Sequence, residues 1–222
     1  MSVEGEQQAS ATLRLHQVYI AELREHALAL VWFGYQRMGP GGFAVAEEDD
    51  ITGELVRYMK SVIEDETAPV WADHYSVTEQ VRSTVAGRFG KRRPIVDVEF
   101  KRHKLGPRPR LRFEAKRLCR SSGVSDYLGD EGLRAFLLGH YATTHCEAGM
   151  LGYVQTETEA AWADKIALEL AVMPKQHRLT DDGAWTQIVL ADSSHHTYQT
   201  KHFDGSGQPM LILHVLLRFG TV

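Results

Sequence analysis

Asp97, Glu114 and Lys116 are the residues of this 222-residue chain whose types and spacing could do chemistry together. Each belongs to a run, Ile95-Val96-Asp97-Val98-Glu99-Phe100 or Leu111-Arg112-Phe113-Glu114-Ala115-Lys116, in which apolar and charged residues alternate. That period is expected of a β-strand with one face in a core and the other open to function. Asp97 and Glu99 share one such face, and so do Arg112, Glu114 and Lys116. If the runs pair as a hairpin, two carboxylates meet, enough for a hard cation such as Mg²⁺, whose other oxygen ligands come from water and substrate phosphate. Lys116 would then reach a polarised water or the charge that builds at phosphorus. The side chain of Ala115 faces away, but its backbone carbonyl lies between the two charged residues and is a further candidate ligand.

The surrounding charge suits a polyanionic substrate. The formal net charge is -4, which argues against a histone-like polyanion binder. Yet twelve of the 25 lysines and arginines lie between Lys91 and Arg120, against three acids, Asp97, Glu99 and Glu114, so that window is +9 and the rest of the chain -13. Positive charge around isolated carboxylates is what phosphodiester cleavage needs, and Lys101, Lys104 and Arg108 are the candidate phosphate contacts. The alternative is a solvated basic loop.

Positioning such a site requires a sheet with helices packed on it. From about Leu13 to Phe33, Leu15, Val18, Leu23, Ala27, Leu30 and Val31 recur at helical spacing among charged residues, predicting a long amphipathic helix. It stops at Gly39-Pro40-Gly41-Gly42, a turn that lacks the Gly-Lys-Ser/Thr of a phosphate-binding loop. A second helix is predicted from about Asp50 to Glu64, with Asp49, Asp50 or Thr52 as N-cap. Tyr75 to Val81 and Ser83 to Phe89 are candidate strands, and the turn-rich Lys104 to Pro109 joins the two alternating runs. There follow a helix from Asp130 to Thr143, a buried strand from Gly149 to Val154 and a helix from about Glu157 to Val172. Strands are predicted at Thr186 to Leu190, Thr197 to His202 and Met210 to Leu217, the last two a hairpin across Asp204-Gly205-Ser206-Gly207.

In this order the chain from about Glu47 to Gln155 resembles the PD-(D/E)xK, or restriction-endonuclease-like, nuclease superfamily. Glu114-Ala115-Lys116 stands for the ExK tripeptide, and Pro94-Ile95-Val96-Asp97 for the Pro-Asp element, with the proline three residues from the aspartate instead of adjacent. The resemblance implies an α/β fold with a restriction-endonuclease-like αβββαβ core, a mixed central sheet flanked by helices, in one domain. Residues 1–45 would add an N-terminal helix, and residues 156–222 a helix and a C-terminal β-hairpin extension. It further implies a magnesium-dependent endonuclease acting on DNA, of restriction or phage-defence type, with Mn²⁺ able to substitute and with Asp97, Glu114 and the Ala115 carbonyl on the metal. Many members add a glutamate from the first core helix, and here Glu48 and Glu54 compete. At about 100° per residue Glu48 falls on the stripe of Ile51, Leu55 and Met59 while Glu54 points to the polar side, which favours Glu48. The competing role for Glu47 to Asp50 is to complement the helix dipole. Glu99 is a further candidate ligand, and Gln155, just after the fourth core strand, a candidate contact to the site or to DNA.

Other constellations compete less well. His195, His196, His202 and His214 match no zinc spacing and fit cross-strand partners of a hairpin, and Ser193-Ser194-His195 lacks a nucleophile-elbow context. Two cysteines, Cys119 and Cys146, are too few for a disulfide scaffold. No apolar run approaches the roughly 20 residues of a membrane span, and residues 1–11 lack the order of a signal peptide, so a cytoplasmic protein is expected. The partner expected is DNA, with a homodimer through the long first helix or a partner protein in a defence complex. An RNA-directed nuclease and a non-catalytic nucleic-acid-binding subunit are the alternatives.

Overall fold

The computed structural model describes residues 3–83, 91, 93–103, 108–141, 143, 145–189 and 196–220, with side chains of the first helix from residue 16 onward. Helix α1 runs Val3–Met38, longer than its apolar stripe predicted. It closes on Gly39, whose φ of 66° is the left-handed conformation open to glycine, and a 3-10 turn follows over Pro40–Gly42. Helix α2 spans Glu48–Ile63 and buries Ile51, Leu55, Val56, Met59 and Val62. It begins earlier than expected, so Asp49 and Asp50 lie within its first turn and complement the dipole, while Glu47 takes the N-cap place without a side-chain cap bond.

Seven strands form one mixed sheet in the order β1-β2-β3-β4-β7-β6-β5. These are β1 Tyr75–Arg82, β2 Ile95–Arg102, β3 Arg110–Leu118, β4 Glu147–Val154, β5 Thr186–Gln187, β6 Thr197–Phe203 and β7 Pro209–Arg218. Strands β1, β2 and β3 make an antiparallel meander, β4 runs parallel to β3, and β7 parallel to β4. The C-terminal hairpin is therefore part of the central sheet through β7. Of the candidate strand Ser83 to Phe89, only Ser83 lies within the described residues.

Between β3 and β4 the helix expected from Asp130 to Thr143 is only α4, Leu133–Leu137, and a further short helix not expected from the sequence, α3 Val124–Leu128, precedes it across a break. Glycines impose the break: a Cβ on Gly129 or Gly132 would sit 2.4 or 2.3 Å from the carbonyl of Ser125 or Tyr127. Helix α5, Glu159–Val172, is capped by Thr158, whose hydroxyl accepts from the Ala161 N–H.

Helices α1 and α2 cover one face of the sheet, over a core that includes Leu30, Val31, Leu55, Met59, Phe100, Phe113, Leu151 and Tyr153. Helices α3, α4 and α5 cover the other, with Tyr127, Phe136, Trp162, Ile166, Met150 and Ile212. Thr52 and Tyr153 hydroxyls, 2.9 Å apart, tie α2 to β4 one helical turn beyond Glu48. Among the described residues no helix is long and apolar enough to cross a membrane.

Candidate active site

Strand β2 pairs with β1 at both ends, with one gap in the ladder at Gln80 and Asp97, but leaves β3 part-way. The β1–β2 ladder runs from Tyr75 opposite Arg102 to Arg82 opposite Ile95. The β2–β3 ladder covers only Lys101–Arg110 through Val98–Phe113, so the next residues, Asp97 and Glu114, fall where the strands part. Strand β2 turns over at this point, since Val98 packs in the core under α1 and α2 and Val96 in the opposite one. Gln80, opposite Asp97 on β1, has a φ of 49°, a conformation uncommon outside glycine.

The parting leaves β3 amides without a strand partner, and two carboxylates take them. Asp97 Oδ2 accepts the Ala115 N–H at 2.7 Å, and Glu48 Oε2 accepts the Arg117 N–H at 3.0 Å. In a strand the N–H and C=O of one residue point to the same side, so the Ala115 carbonyl faces the gap that holds Asp97. Glu114 and Lys116, one residue out of phase, project from the face under α3 and α4. There Lys116 Nζ donates to Glu48 Oε1 at 2.9 Å and to Glu114 Oε1 at 3.1 Å.

The electrostatics of this cluster are unbalanced. Glu114 is 5% exposed, and its second oxygen, Oε2, is buried without a hydrogen-bond partner. Burial first, and the neighbouring Asp97 second, push its carboxyl up to about 8. Burial likewise raises Asp97, against the bond from the Ala115 amide. Burial opposes the charge on Lys116, but Glu114, Glu48 and Asp97 outweigh it, and the ammonium is held more firmly than usual. Tyr141 brings its hydroxyl to Glu114, and burial together with that carboxylate raises its pKa.

Glu54 is elsewhere: it lies on the exposed side of α2, bound to Arg57 at 2.6 Å. Glu99 is buried and engaged by Arg112, with NH2–Oε2 at 2.7 Å, so it is committed to an ion pair and is withdrawn from the candidate ligands. Gln155, expected to contact the site or DNA, is 7% exposed and turns its amide to the carbonyls of Phe43 and Ala46, so it presents no surface to a substrate. Lys101 and Arg108 lie toward the far end of the β2–β3 hairpin. At about 3.3 Å per residue Lys101 is roughly 13 Å along the strand from Asp97. Lys104 lies outside the described residues. The basic window is partly internal, since Arg112 is paired with Glu99 and Arg102 is buried over the Tyr19 ring. Beside Glu48 and Lys116 opens a cavity of about 480 Å³, also lined by Ser122, Ser125, Asp126, Gly129, Asp130 and Glu131.

The histidines form no rival site. His195 lies outside the described residues, and His196 meets the Tyr198 hydroxyl at 3.3 Å. His202 and His214 are buried on either side of the Thr200 hydroxyl, at 2.7 and 2.8 Å. Among the described residues no three His, Cys, Asp or Glu side chains are gathered closely enough to hold a metal ion by themselves. The donor set at the β2–β3 parting is instead two carboxylates and a backbone carbonyl, all oxygen, with one carboxylate oxygen buried and lacking a partner. This fits a hard cation that completes its shell with water and phosphate.

Comparison with protein-family models, with curated proteins and with solved structures gives no match for this chain. The residues themselves therefore carry the functional reading.

Proposed function

We propose that this chain is a divalent-cation-dependent nuclease that hydrolyses phosphodiester bonds in DNA, with a restriction-endonuclease-like core inside its seven-stranded sheet. One juxtaposition carries the reading: Asp97, Glu114, Lys116 and Glu48 converge where β2 leaves β3, and one oxygen of Glu114 is buried there unpartnered. The element order α2, β1, β2, β3, α3–α4, β4, with β4 parallel to β3, supports the αβββαβ assignment. A restriction or phage-defence role is the one suggested by the sequence resemblance.

Asp97, Glu114 and the Ala115 carbonyl would hold the cation, Mg²⁺ or Mn²⁺. When bound, it supplies Lewis acidity toward a water and the phosphate oxygens. Lys116 keeps its proton, so it serves as a donor that orients the attacking water or stabilises charge at phosphorus, and not as a base. Glu48 fixes the direction of that ammonium through Oε1 and is itself fixed through Oε2 on the Arg117 amide.

The decisive experiment follows plasmid cleavage with and without Mg²⁺. Lys116→Ala should lower cleavage by roughly 10²-fold or more, because the group acts mainly in the transition state, while Mn²⁺ binding and DNA affinity persist. Asp97→Ala should lose metal and cleavage together. Normal cleavage by Lys116→Ala would overturn the reading. Cleavage of RNA alone would transfer the same site to the other nucleic acid, and binding of DNA without cleavage in any divalent cation would make the chain a non-catalytic subunit.

A further inference from the structure

Glu48 belongs to the first turn of a helix that has no side-chain N-cap, so something else must set where that helix begins. The chain entering it, residues 43–47, is held by the residue that follows β4. Gln155 Nε2 donates its two protons to Phe43 O at 3.0 Å and Ala46 O at 2.8 Å, and Ala46 N in turn donates to Phe43 O at 3.2 Å. The backbone of Gln155 cannot drift. Its N–H is bonded to Leu118 O at 3.0 Å, and the chain at Gly220 passes so close that a Cβ there would lie 2.1 Å from the Gln155 carbonyl oxygen. Arg117 adds an ion pair to Glu47 at 2.7 Å. From Ala46 it is two residues to Glu48, whose two oxygens bind Lys116 Nζ and the Arg117 N–H.

We infer that Gln155 is a positioning residue for Glu48: it anchors the start of α2 to the end of β4 and thereby aims the glutamate at Lys116 and at the Arg117 amide. Only a side chain with two donors and no charge satisfies two carbonyls in this buried place. A glutamate would set acceptors against acceptors, and an apolar residue would leave both carbonyls without this partner. The consequence for cleavage rests on the nuclease reading proposed above, whereas the consequence for the Arg117 amide does not.

The test uses Gln155→Met, which keeps the volume and removes the donors, alongside Glu48→Ala and the double variant. Amide hydrogen exchange by NMR on the metal-free protein should show Arg117 losing protection in Gln155→Met to the level of Glu48→Ala, with no further loss in the double variant. The Ala115 amide, held by Asp97, should be unchanged. Plasmid cleavage in Mg²⁺ should fall about 10-fold or more in Gln155→Met, the scale of losing a group that orients a neighbour at the site, and fall little further when Glu48 is already absent, while Mn²⁺ affinity followed by electron paramagnetic resonance should persist as in Lys116→Ala. Retained protection at Arg117, equal loss at Ala115, additive effects, or a Gln155→Met protein that does not fold would overturn the assignment. If the wild-type chain binds no Mn²⁺, the nuclease reading fails, and the Arg117 amide alone still decides the role of Gln155.

Discussion

Two sets of polar side chains lie toward the face of the sheet covered by α3, α4 and α5, and their hydrogen bonds close in different ways. On the β6–β7 side a chain runs from the Tyr127 hydroxyl to His214 Nδ1 at 3.0 Å, from His214 Nε2 to Thr200, from Thr200 to His202 Nε2, and from His202 Nδ1 to the His177 carbonyl at 2.7 Å. The carbonyl at its end fixes the direction of every proton. His202 must donate from Nδ1, so its Nε2 accepts from Thr200. Thr200 then accepts from His214, and Tyr127 donates to the nitrogen that remains. Burial holds His202 down to about 4 and His214 well below its usual range, so the whole chain is uncharged. On the β2–β3 side, three carboxylates share one ammonium, the two most buried acids are pushed upward, and Glu114 Oε2 has no partner.

The histidine chain is fully buried, the β2–β3 cluster is half-buried except at Glu114, and the two differ in completeness. A fully bonded neutral network contributes to the stability and uniqueness of a core. An incomplete charged one costs stability, and it makes physical sense where a ligand finishes it. Removing a group from each should therefore give opposite results. Glu114→Gln should reduce cleavage by at least about 10²-fold and abolish saturable Mn²⁺ binding, with the fold intact by circular dichroism. Thr200→Val, nearly isosteric, should leave cleavage by the folded protein unchanged but cost about 1–3 kcal/mol for each partner it orphans, read from urea denaturation. The contrast breaks if Thr200→Val costs nothing, or if Glu114→Gln is the variant that unfolds.

What the sequence could say of these clusters followed from period and range. Alternation along β2 and β3 was enough to place Asp97, Glu114 and Lys116 on strands, and helical periodicity put Glu48 on the packed stripe of α2, because each signal lies within one element. The parting of β2 from β3 has no such local signature: it depends on β2 following β1, and so the pairing of Asp97 with the Ala115 amide was invisible. Glu99 looked equivalent to Asp97 on its strand, and only the cross-strand register that sets it opposite Arg112 tells them apart. Gln155 and Phe43 are 112 residues apart, and Tyr127 and His214 are 87 apart, separations at which residue spacing carries no information. Helix α3 was missed because five residues after a polar Ser-Ser-Gly stretch are too few to show a helical period, whereas Leu133, Phe136 and Leu137 do show one and gave α4.

The finest test of the contrast is its dependence on pH, because the two clusters pull in opposite directions. Glu114 holds its proton in the folded state up to about 8, whereas an unfolded glutamate releases it near 4.5. Between those values the native state binds the extra proton, so stability falls as pH rises through the window and the loss is complete above it. His202 behaves inversely. Its folded value of about 4 lies below the unfolded 6.5, so the unfolded chain binds the extra proton and stability falls as pH drops from 6.5 toward 4. From 4.5 to 6.5 the slopes from these two groups oppose one another, and from 6.5 to 8 the glutamate's acts alone. Urea denaturation of metal-free wild type and Glu114→Gln across this range should give a stability difference that is small near pH 4.5, grows in favour of the variant up to about 8, and then levels. Saturating Mn²⁺ should remove the alkaline fall in the wild type and leave the variant unmoved, since the cation takes the place of the proton on that carboxylate. A difference that stays constant across pH would mean that Glu114 is as well satisfied as the histidine chain, and the distinction between the two clusters would be lost.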